Sequence, residues 1–117
     1  MDEFLYFYKG QIERVVDGDT VSASIDLGMH TWIHGERLRL ARINTPEIRG
    51  ETRLKGLAAK EYLADLVLGK PVYIKTIKDT REKYGRYLAE IGIERDGAWF
   101  SVNDDLVMTG HAVYAEY

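Results

Sequence analysis

The stretch Arg39-Leu40-Ala41-Arg42-Ile43-Asn44-Thr45-Pro46-Glu47 has the pattern of a β-strand that ends abruptly. Leu38 and Leu40 alternate with Arg39, as in a strand with one apolar face. Pro46 stiffens the turn, and the residue before a proline is pushed into an extended conformation. The strand therefore delivers an arginine, an amide and a carboxylate to one rim of the fold. An arginine and a carboxylate placed in this way suit phosphate binding beside a metal ion or a base.

Two further segments make this stretch informative, because Thr-Pro-Glu alone is also an ordinary turn. Val16-Asp17-Gly18-Asp19-Thr20-Val21 lies upstream, and Glu82-Lys83-Tyr84-Gly85-Arg86 lies downstream. The three segments, in this order, resemble those of the staphylococcal nuclease (thermonuclease) family. The resemblance extends over nearly the whole chain, from about Lys9 to Tyr114. This chain departs from the family pattern in lacking its final long helix and in having Asn44 where the pattern has Asp.

The predicted elements are three strands, a helix, two strands and a short helix. Alternating apolar residues predict strands over 4–16, 21–27, 38–43, 72–76 and 87–93. Ala59, Tyr62, Leu63 and Leu66 have the spacing of the buried face of a helix over 54–68. Five short strands with one inserted helix are typical of a small, partly open OB-type barrel, a mainly β fold of the α+β class. The resemblance implies the same five-stranded OB-fold barrel with helices.

One long connection and one helix cap are also predicted. Residues 28–35 form a long connection between the second and third strands, longer than in the family that the chain resembles. Ser101-Val102-Asn103-Asp104 has the form of a capping box at the start of the short C-terminal helix.

Length and composition limit the possible classes of protein. With 117 residues and 45% hydrophobic content, we expect a single domain over residues 1–117 with a sizeable core. The absence of cysteine excludes disulfide frameworks, thiolate zinc sites and cysteine nucleophiles. No long apolar run follows Met1, so we expect neither a secretory signal nor a membrane span. A cytoplasmic monomer is expected, and a mature secreted form fits the same sequence.

Positive charge is concentrated in two of the three segments. The net charge is −3, which argues against a protein that coats nucleic acid generally. Residues 36–56 and residues 75–86 nevertheless each carry a local charge of +3. A phosphodiester site requires such local positive charge, although charge also varies along any chain by chance. The coincidence of both basic regions with the motifs favours a nucleic-acid substrate, DNA or RNA or both.

The acidic turn has both a structural and a functional interpretation. Asp-Gly is a common hairpin turn, and Asp96-Gly97 is expected to serve only as such. The upstream turn differs because a second acid, Asp19, follows it where a strand begins. Carboxylates from separate segments can converge on a hard divalent cation. The resemblance implies that Asp19 binds the metal directly, whereas Asp17 acts through water.

The resemblance also implies roles for residues in the central stretch, which is residues 39–47. Arg39 contacts the scissile phosphate, and Glu47 is the candidate general base for the attacking water. The main-chain carbonyl of Thr45 is a further metal ligand, and Asn44 occupies a ligand position of the family. Without the resemblance, Arg39 would be interpreted as a surface ion pair and Glu47 as an exposed loop charge. The cofactor implied is Ca²⁺.

The third segment contributes substrate contacts in this interpretation. Arg86 follows a glycine at the start of a strand, where its guanidinium could bind a phosphate oxygen as charge builds in the transition state. By resemblance, Lys83 and Tyr84 contact a terminal phosphate of the bound nucleotide. His30, His34 and His111 have no metal-ligand spacing and are expected to be structural or surface groups.

The leading hypothesis is a Ca²⁺-dependent nuclease, a hydrolase of DNA or RNA phosphodiester bonds by in-line attack of water. The resemblance implies that the 5′-oxygen leaves, so that products end in a 3′-phosphate. The alternative is a catalytically weakened OB-fold module that only binds nucleic acid. Asp19, Arg39, Glu47 and Arg86 are all present, which favours the enzyme, whereas Asn44 favours the alternative. A protein-interaction domain is a third class, with only the acidic remainder of the chain in its favour.

Overall fold

The structure is a computed structural model that describes residues 1–116. Its strands are β1 (Phe7–Asp17), β2 (Thr20–Gly28), β3 (Thr31–Leu40), β4 (Ile43–Asn44), β5 (Pro71–Arg81), β6 (Tyr87–Arg95), β7 (Ala98–Ser101) and β8 (Val113–Tyr114). Its helices are α1 (Arg53–Val67) and α2 (Val102–Met108), with short 3-10 turns at Asp2–Phe4 and Gly50–Thr52. None of the helices within residues 1–116 has the length and apolar character needed to cross a membrane.

Five of the strands form a closed barrel. The antiparallel order β3-β2-β1-β5-β6 is completed by a parallel pairing of β3 with β6, in which residues 38–40 lie beside residues 87–89. Strand β7 extends the sheet as a hairpin on β6, and β4 pairs with β8 in a separate two-stranded sheet. The predicted five-stranded OB-type barrel with an inserted helix and a short C-terminal helix is confirmed. Its parallel pairing closes a barrel that the pattern predicted to be partly open.

Helix α1 packs against the barrel core and also supports the central stretch. Ala59 and Leu63 are fully buried, while Tyr62 and Leu66 are partly buried against the core, so the predicted face is the one that packs. Burial of one leucine side chain stabilises the fold by roughly 1.5–3 kcal/mol. Gly56 lies in the first turns of α1, where a Cβ would come within 2.7 Å of the carbonyl oxygens of Pro46 and Glu47. The helix can therefore approach the Pro46 turn only because this position lacks a side chain.

Helix α2 holds the end of β3 through one buried amide. The Ser101 hydroxyl accepts a hydrogen bond from the Asp104 N–H at 3.1 Å, as the predicted cap requires. Asn103 is fully buried, and its amide nitrogen donates to the carbonyls of Ala41 and Ala89 at 3.0 and 3.1 Å. Its amide oxygen accepts from the Ile91 N–H at 3.0 Å. This side chain therefore fastens the segment that follows β3 to β6, next to the central stretch.

The prediction of a long connection over residues 28–35 is wrong. Strands β2 and β3 are joined by a tight turn at Met29-His30, and β3 begins at Thr31. Both turn residues have positive φ, 54° and 59°, a conformation that non-glycine residues adopt uncommonly. The pairing of Asp26 with Trp32 continues the ladder close to this turn. The predicted third strand also ends earlier, at Leu40, because the chain turns at Ala41-Arg42 before β4.

Candidate active site

The three motif segments meet in one open cleft of about 910 Å³ at the rim of the barrel. The hairpin of β1 and β2 contributes the acidic turn, the end of β3 and the residues after it contribute the central stretch, and the loop between β5 and β6 contributes the third segment. All eight residues proposed from sequence line this cleft: Asp19, Arg39, Asn44, Thr45, Glu47, Lys83, Tyr84 and Arg86. The fold therefore brings together segments that are distant in sequence.

Asp19 lies at the centre of the buried side of the cleft and is only 8% exposed. One of its oxygens, Oδ2, accepts from the Thr45 N–H at 3.2 Å and from the Thr45 hydroxyl at 3.0 Å. The same oxygen lies 3.3 Å from Nη2 of Arg39. Burial acts to raise the pKa of Asp19, but Asp17, Arg39 and Thr45 outweigh it and hold the pKa below its ordinary value. Asp19 is therefore an ionised carboxylate at neutral pH.

Asp17 gives the turn a second carboxylate. Its Oδ1 accepts a hydrogen bond from the Asp19 N–H at 3.1 Å. Burial, followed by the closeness of the Asp19 carboxylate, raises the pKa of Asp17 to about 6. Two crowded carboxylates in a partly buried site repel each other, so a cation placed between or beside them would relieve the repulsion.

Arg39 is delivered to the cleft by the alternation of β3 and is only 3% exposed. Its guanidinium donates to the Leu40 carbonyl and, at 3.4 Å, to the side-chain oxygen of Asn44, in addition to its ion pair with Asp19. Arg42 does not line the cleft and instead bonds to Glu90 at 2.7 and 2.8 Å. Arg42 lies in the turn after β3, and its side chain therefore serves to hold that turn rather than to bind a ligand of the cleft.

Glu47 stands on the exposed side of the cleft. Its carboxylate accepts from Nε of Arg49 at 2.7 Å, and both side chains are largely exposed. The backbone at Glu47 is held more firmly, because its carbonyl accepts from the Thr52 hydroxyl at 2.7 Å and abuts Gly56 of α1. The carboxylate is thus accessible to solvent on a braced loop, a position in which it can interact with a water molecule.

Arg86 lies opposite the acidic turn. Its Nη1 donates to the Thr20 hydroxyl at 3.0 Å, and that hydroxyl donates to Oδ1 of Asp19 at 3.2 Å. Tyr84 is largely exposed, with Nζ of Lys83 5.1 Å and the Arg86 guanidinium carbon 5.5 Å from its ring centre. Lys83 and Tyr84 therefore form an exposed basic and aromatic edge of the cleft.

The oxygen donors in the cleft fit a hard divalent cation in kind. Asp19, Asp17 and the Asn44 amide supply side-chain oxygens, and such ions prefer carboxylate, amide and carbonyl ligands. Within residues 1–116, however, no group of three or more His, Cys, Asp or Glu side chains is placed to hold a metal ion. Asn44 lines the same cleft as Asp17 and Asp19, and it contributes an uncharged amide where an aspartate would contribute a further carboxylate.

Some cleft residues had no role in the sequence interpretation. Glu82, Arg49 and Lys60 also line the cleft, and Thr20 links Arg86 to Asp19. The sequence contained no signal for these contacts, because the four-residue spacing of Glu82 and Arg86 predicts an ion pair only on a helix, and these residues lie in a loop. None of the histidines lines the cleft: His34 bonds to Ser24 at 2.7 Å, and His111 stacks on Tyr62 with ring centres 4.4 Å apart.

The sequence of this chain is similar to one family model and to two proteins of known sequence. The sequence model of the staphylococcal nuclease homologue family matches residues 37–117. This range includes the central stretch and residues 82–86, but not the acidic turn. The uncharacterized protein MJ1439 of Methanocaldococcus jannaschii is 29% identical over 126 residues, covering 90% of this chain and 58% of that protein. Endonuclease YhcR of Bacillus subtilis is 28% identical over 114 residues, covering 90% of this chain and 9% of that protein. The chain thus spans only part of the length of each relative. Because the family model matches more than half of the sequence, the chain belongs to the staphylococcal nuclease homologue family.

Proposed function

We propose that this chain is a Ca²⁺-dependent nuclease that hydrolyses phosphodiester bonds of DNA, RNA or both. The observation that carries the proposal is the meeting of two arginines, an accessible glutamate and a buried acidic turn in one open cleft. Membership of the staphylococcal nuclease homologue family and the similarity to a protein named as an endonuclease support it. We further propose that residues 1–117 act as a single domain.

Arg39 and Arg86 would bind the phosphate that is attacked. Both guanidinium groups line the cleft, and both are held by hydrogen bonds before any ligand arrives. Donors fixed in this way stabilise charge that develops on phosphate oxygens without reorganising during the reaction. Arginine suits the task because its planar fork binds two phosphate oxygens at once.

Glu47 would orient and deprotonate the attacking water. The carboxylate is exposed at the cleft, and it accepts a hydrogen bond from Nε of Arg49, which also lines the cleft. The hydroxide equivalent adds to phosphorus, the bond from phosphorus to the 5′-oxygen breaks, and the proton is retained by the carboxylate. The leaving 5′-oxygen is protonated from solvent, so a 3′-phosphate end remains.

Asp19, Asn44 and the Thr45 carbonyl would hold the cation, with Asp17 acting through water. When bound, a hard divalent ion supplies positive charge that polarises the phosphate. In the structure, the N–H and the hydroxyl of Thr45 both orient the Asp19 carboxylate. Lys83 and Tyr84, at the exposed edge, would contact a neighbouring phosphate of the nucleotide chain.

A nucleic-acid-binding module without catalysis is the second candidate function. Asn44 favours it, because within residues 1–116 no third acidic side chain joins Asp17 and Asp19 in a group that could hold a cation. Both candidates predict salt-sensitive binding, since phosphate contacts release counterions. Only the nuclease predicts cleavage.

The test is cleavage of single- and double-stranded DNA and of RNA with Ca²⁺ and with excess EDTA. We expect cleavage that requires the metal and leaves 3′-phosphate ends. Salt-sensitive binding with no cleavage at any Ca²⁺ concentration would favour the binding module. Full activity in excess EDTA would contradict the metal-dependent mechanism.

A further inference from the structure

The loop that carries Arg86 is organised around one acidic side chain. Glu82 and Arg86 close the loop, since the Glu82 N–H donates to the Arg86 carbonyl at 2.8 Å. Inside it, Oε1 of Glu82 accepts from the N–H groups of Tyr84 and Arg86 at 3.1 and 2.9 Å. The carboxylate therefore fixes the backbone that presents the arginine.

The Glu82 carboxylate also binds the guanidinium group of Arg86 directly. Oε1 of Glu82 accepts from Nε of Arg86 at 3.0 Å, and Oε2 accepts from Nη2 at 3.1 Å. This two-point arrangement is the strongest geometry available to an arginine and a carboxylate. The Glu82 and Arg86 side chains are only 11% and 20% exposed, which reduces screening by solvent.

Thr20 holds the opposite side of the guanidinium. Its hydroxyl accepts from Nη1 of Arg86 at 3.0 Å. An arginine has five N–H donors, and the contacts with Glu82 and Thr20 engage three of them. Two donors remain for a ligand in the cleft that Arg86 lines.

We propose that Glu82 is a positioning residue that fixes Arg86 for phosphate binding. In its catalytic part the inference rests on the proposed nuclease function, because it concerns the same cleft. A free arginine side chain samples many rotamers, and Glu82 removes that freedom before a phosphate arrives. The Arg86 hydrogen bonds lower the pKa of Glu82 to about 2, so the carboxylate stays charged at neutral pH.

A nearby pair shows how this differs from an ordinary surface contact. Arg81 lies 3.3 Å from Glu36 through a single guanidinium nitrogen, and neither residue lines the cleft. Glu36→Gln is therefore a matched control for Glu82→Gln, since each removes a carboxylate charge beside an arginine. Only the second variant releases an arginine of the cleft.

The kinetic experiment is a double-mutant cycle on cleavage of a fluorescent single-stranded oligonucleotide. Glu82→Gln should lower kcat on the order of ten-fold with little change in KM, because misplaced catalytic groups lose rate rather than ground-state binding. In an Arg86→Ala background, Glu82→Gln should cause no further loss, and Glu82→Asp should recover part of the wild-type rate. Equal losses in both backgrounds, or a similar loss with Glu36→Gln, would overturn the proposal.

A second measurement does not depend on activity. The Nε–H signal of Arg86 in NMR, assigned with Arg86→Lys, should be protected from exchange in the wild type and lose protection in Glu82→Gln. Inorganic phosphate should shift this signal at lower concentration in the wild type. If the wild type cleaves nothing, the proposed function fails, and this signal still decides whether Glu82 positions Arg86. Equal protection and equal phosphate response in both proteins would overturn the inference.

Discussion

The dipeptide Asp-Gly joins antiparallel strands at two places in this molecule, with different surroundings. Asp96-Gly97 joins β6 to β7, and both residues have positive φ, 53° and 79°, as a tight hairpin turn requires. Asp17-Gly18 joins β1 to β2, where a Cβ on Gly18 would lie 2.8 Å from Ala59 and 2.9 Å from the Thr45 hydroxyl. In the first turn glycine is needed for its backbone conformation, in the second for close packing. The dipeptide therefore predicts a turn, whereas its chemistry depends on what packs against it.

The largest expected effect is on catalysis, and it should be limited to residues of the cleft that contains the Asp17-Gly18 turn. Glu47→Gln, Arg39→Ala and Arg86→Ala should each lower turnover on the order of a hundred-fold or more, because each removes a proposed catalytic group. Arg95→Ala is the control, since Arg95 precedes the exposed turn and stacks on Phe100 at 3.8 Å. Its turnover should match the wild type. Circular dichroism of each variant checks the fold, and loss of activity through unfolding alone would count against the assigned roles.

Adding a methyl group at either glycine should destabilise the fold by a similar amount, but only the change at Gly18 should lower cleavage. Gly18→Ala forces a methyl group against Ala59 and Thr45, and overpacking of this kind costs about 1–3 kcal/mol. Because Thr45 holds Asp19, cleavage should fall as well. Gly97→Ala meets no atom within 4 Å and should cost about 1–2 kcal/mol of backbone strain, with cleavage unchanged. Urea unfolding and cleavage assays check both variants. Equal losses of activity in Gly18→Ala and Gly97→Ala would contradict the difference between the two turns.

Glu82, in the third segment, should make the free energy of unfolding depend on pH. The pKa of Glu82 is lowered from 4.5 to about 2 by its hydrogen bonds to Arg86, so it stabilises the fold above about pH 4.5. This contribution is lost as the pH falls towards 2. The difference in unfolding free energy between wild type and Glu82→Gln should therefore shrink from pH 5 to pH 2. Urea unfolding across this range checks it, and a constant difference would show that the Glu82 charge contributes nothing.

The smallest expected effect concerns Asn44. An amide can bind Ca²⁺ but carries no charge, and much of the affinity for a hard cation is electrostatic. Asn44→Asp should lower the Ca²⁺ concentration for half-maximal activity and tighten Ca²⁺ binding in calorimetry without substrate. Gln11→Glu, at an exposed position away from the cleft, adds the same negative charge and is a control for altered net charge. If Asn44→Asp changes neither quantity, Asn44 does not contact the metal.

Local sequence patterns, taken together with the family resemblance, predicted eight of the residues that line the cleft. Strand alternation placed Leu38 and Leu40 in the core and Arg39 in the cleft, and Pro46 marked the turn to Glu47. These features are readable because strand periodicity and proline stereochemistry act over a few residues. The helix and the barrel strands that the same reasoning predicted are confirmed by the structure.

Features that depend on contacts between distant segments could not be predicted from local sequence patterns. The turn at Met29-His30 contains no glycine, so nothing in the sequence separated a tight hairpin from a long loop. Thr20 acquires its link to Arg86 across 66 residues of sequence, and Gly56 acquires its role from the Pro46 carbonyl. Such contacts exist only once the barrel has closed.

The central claim is that a cation bound at the cleft turn supports phosphodiester cleavage. The most direct test is the rate of DNA cleavage as a function of Ca²⁺ concentration for wild type, Asp19→Asn and Asp96→Asn. Each variant replaces one carboxylate with its isosteric amide at one of the two Asp-Gly turns. Wild type and Asp96→Asn should give the same Ca²⁺-dependent curve, while Asp19→Asn should stay near the rate in EDTA at every concentration. An Asp19→Asn curve that coincides with the wild type would contradict the account.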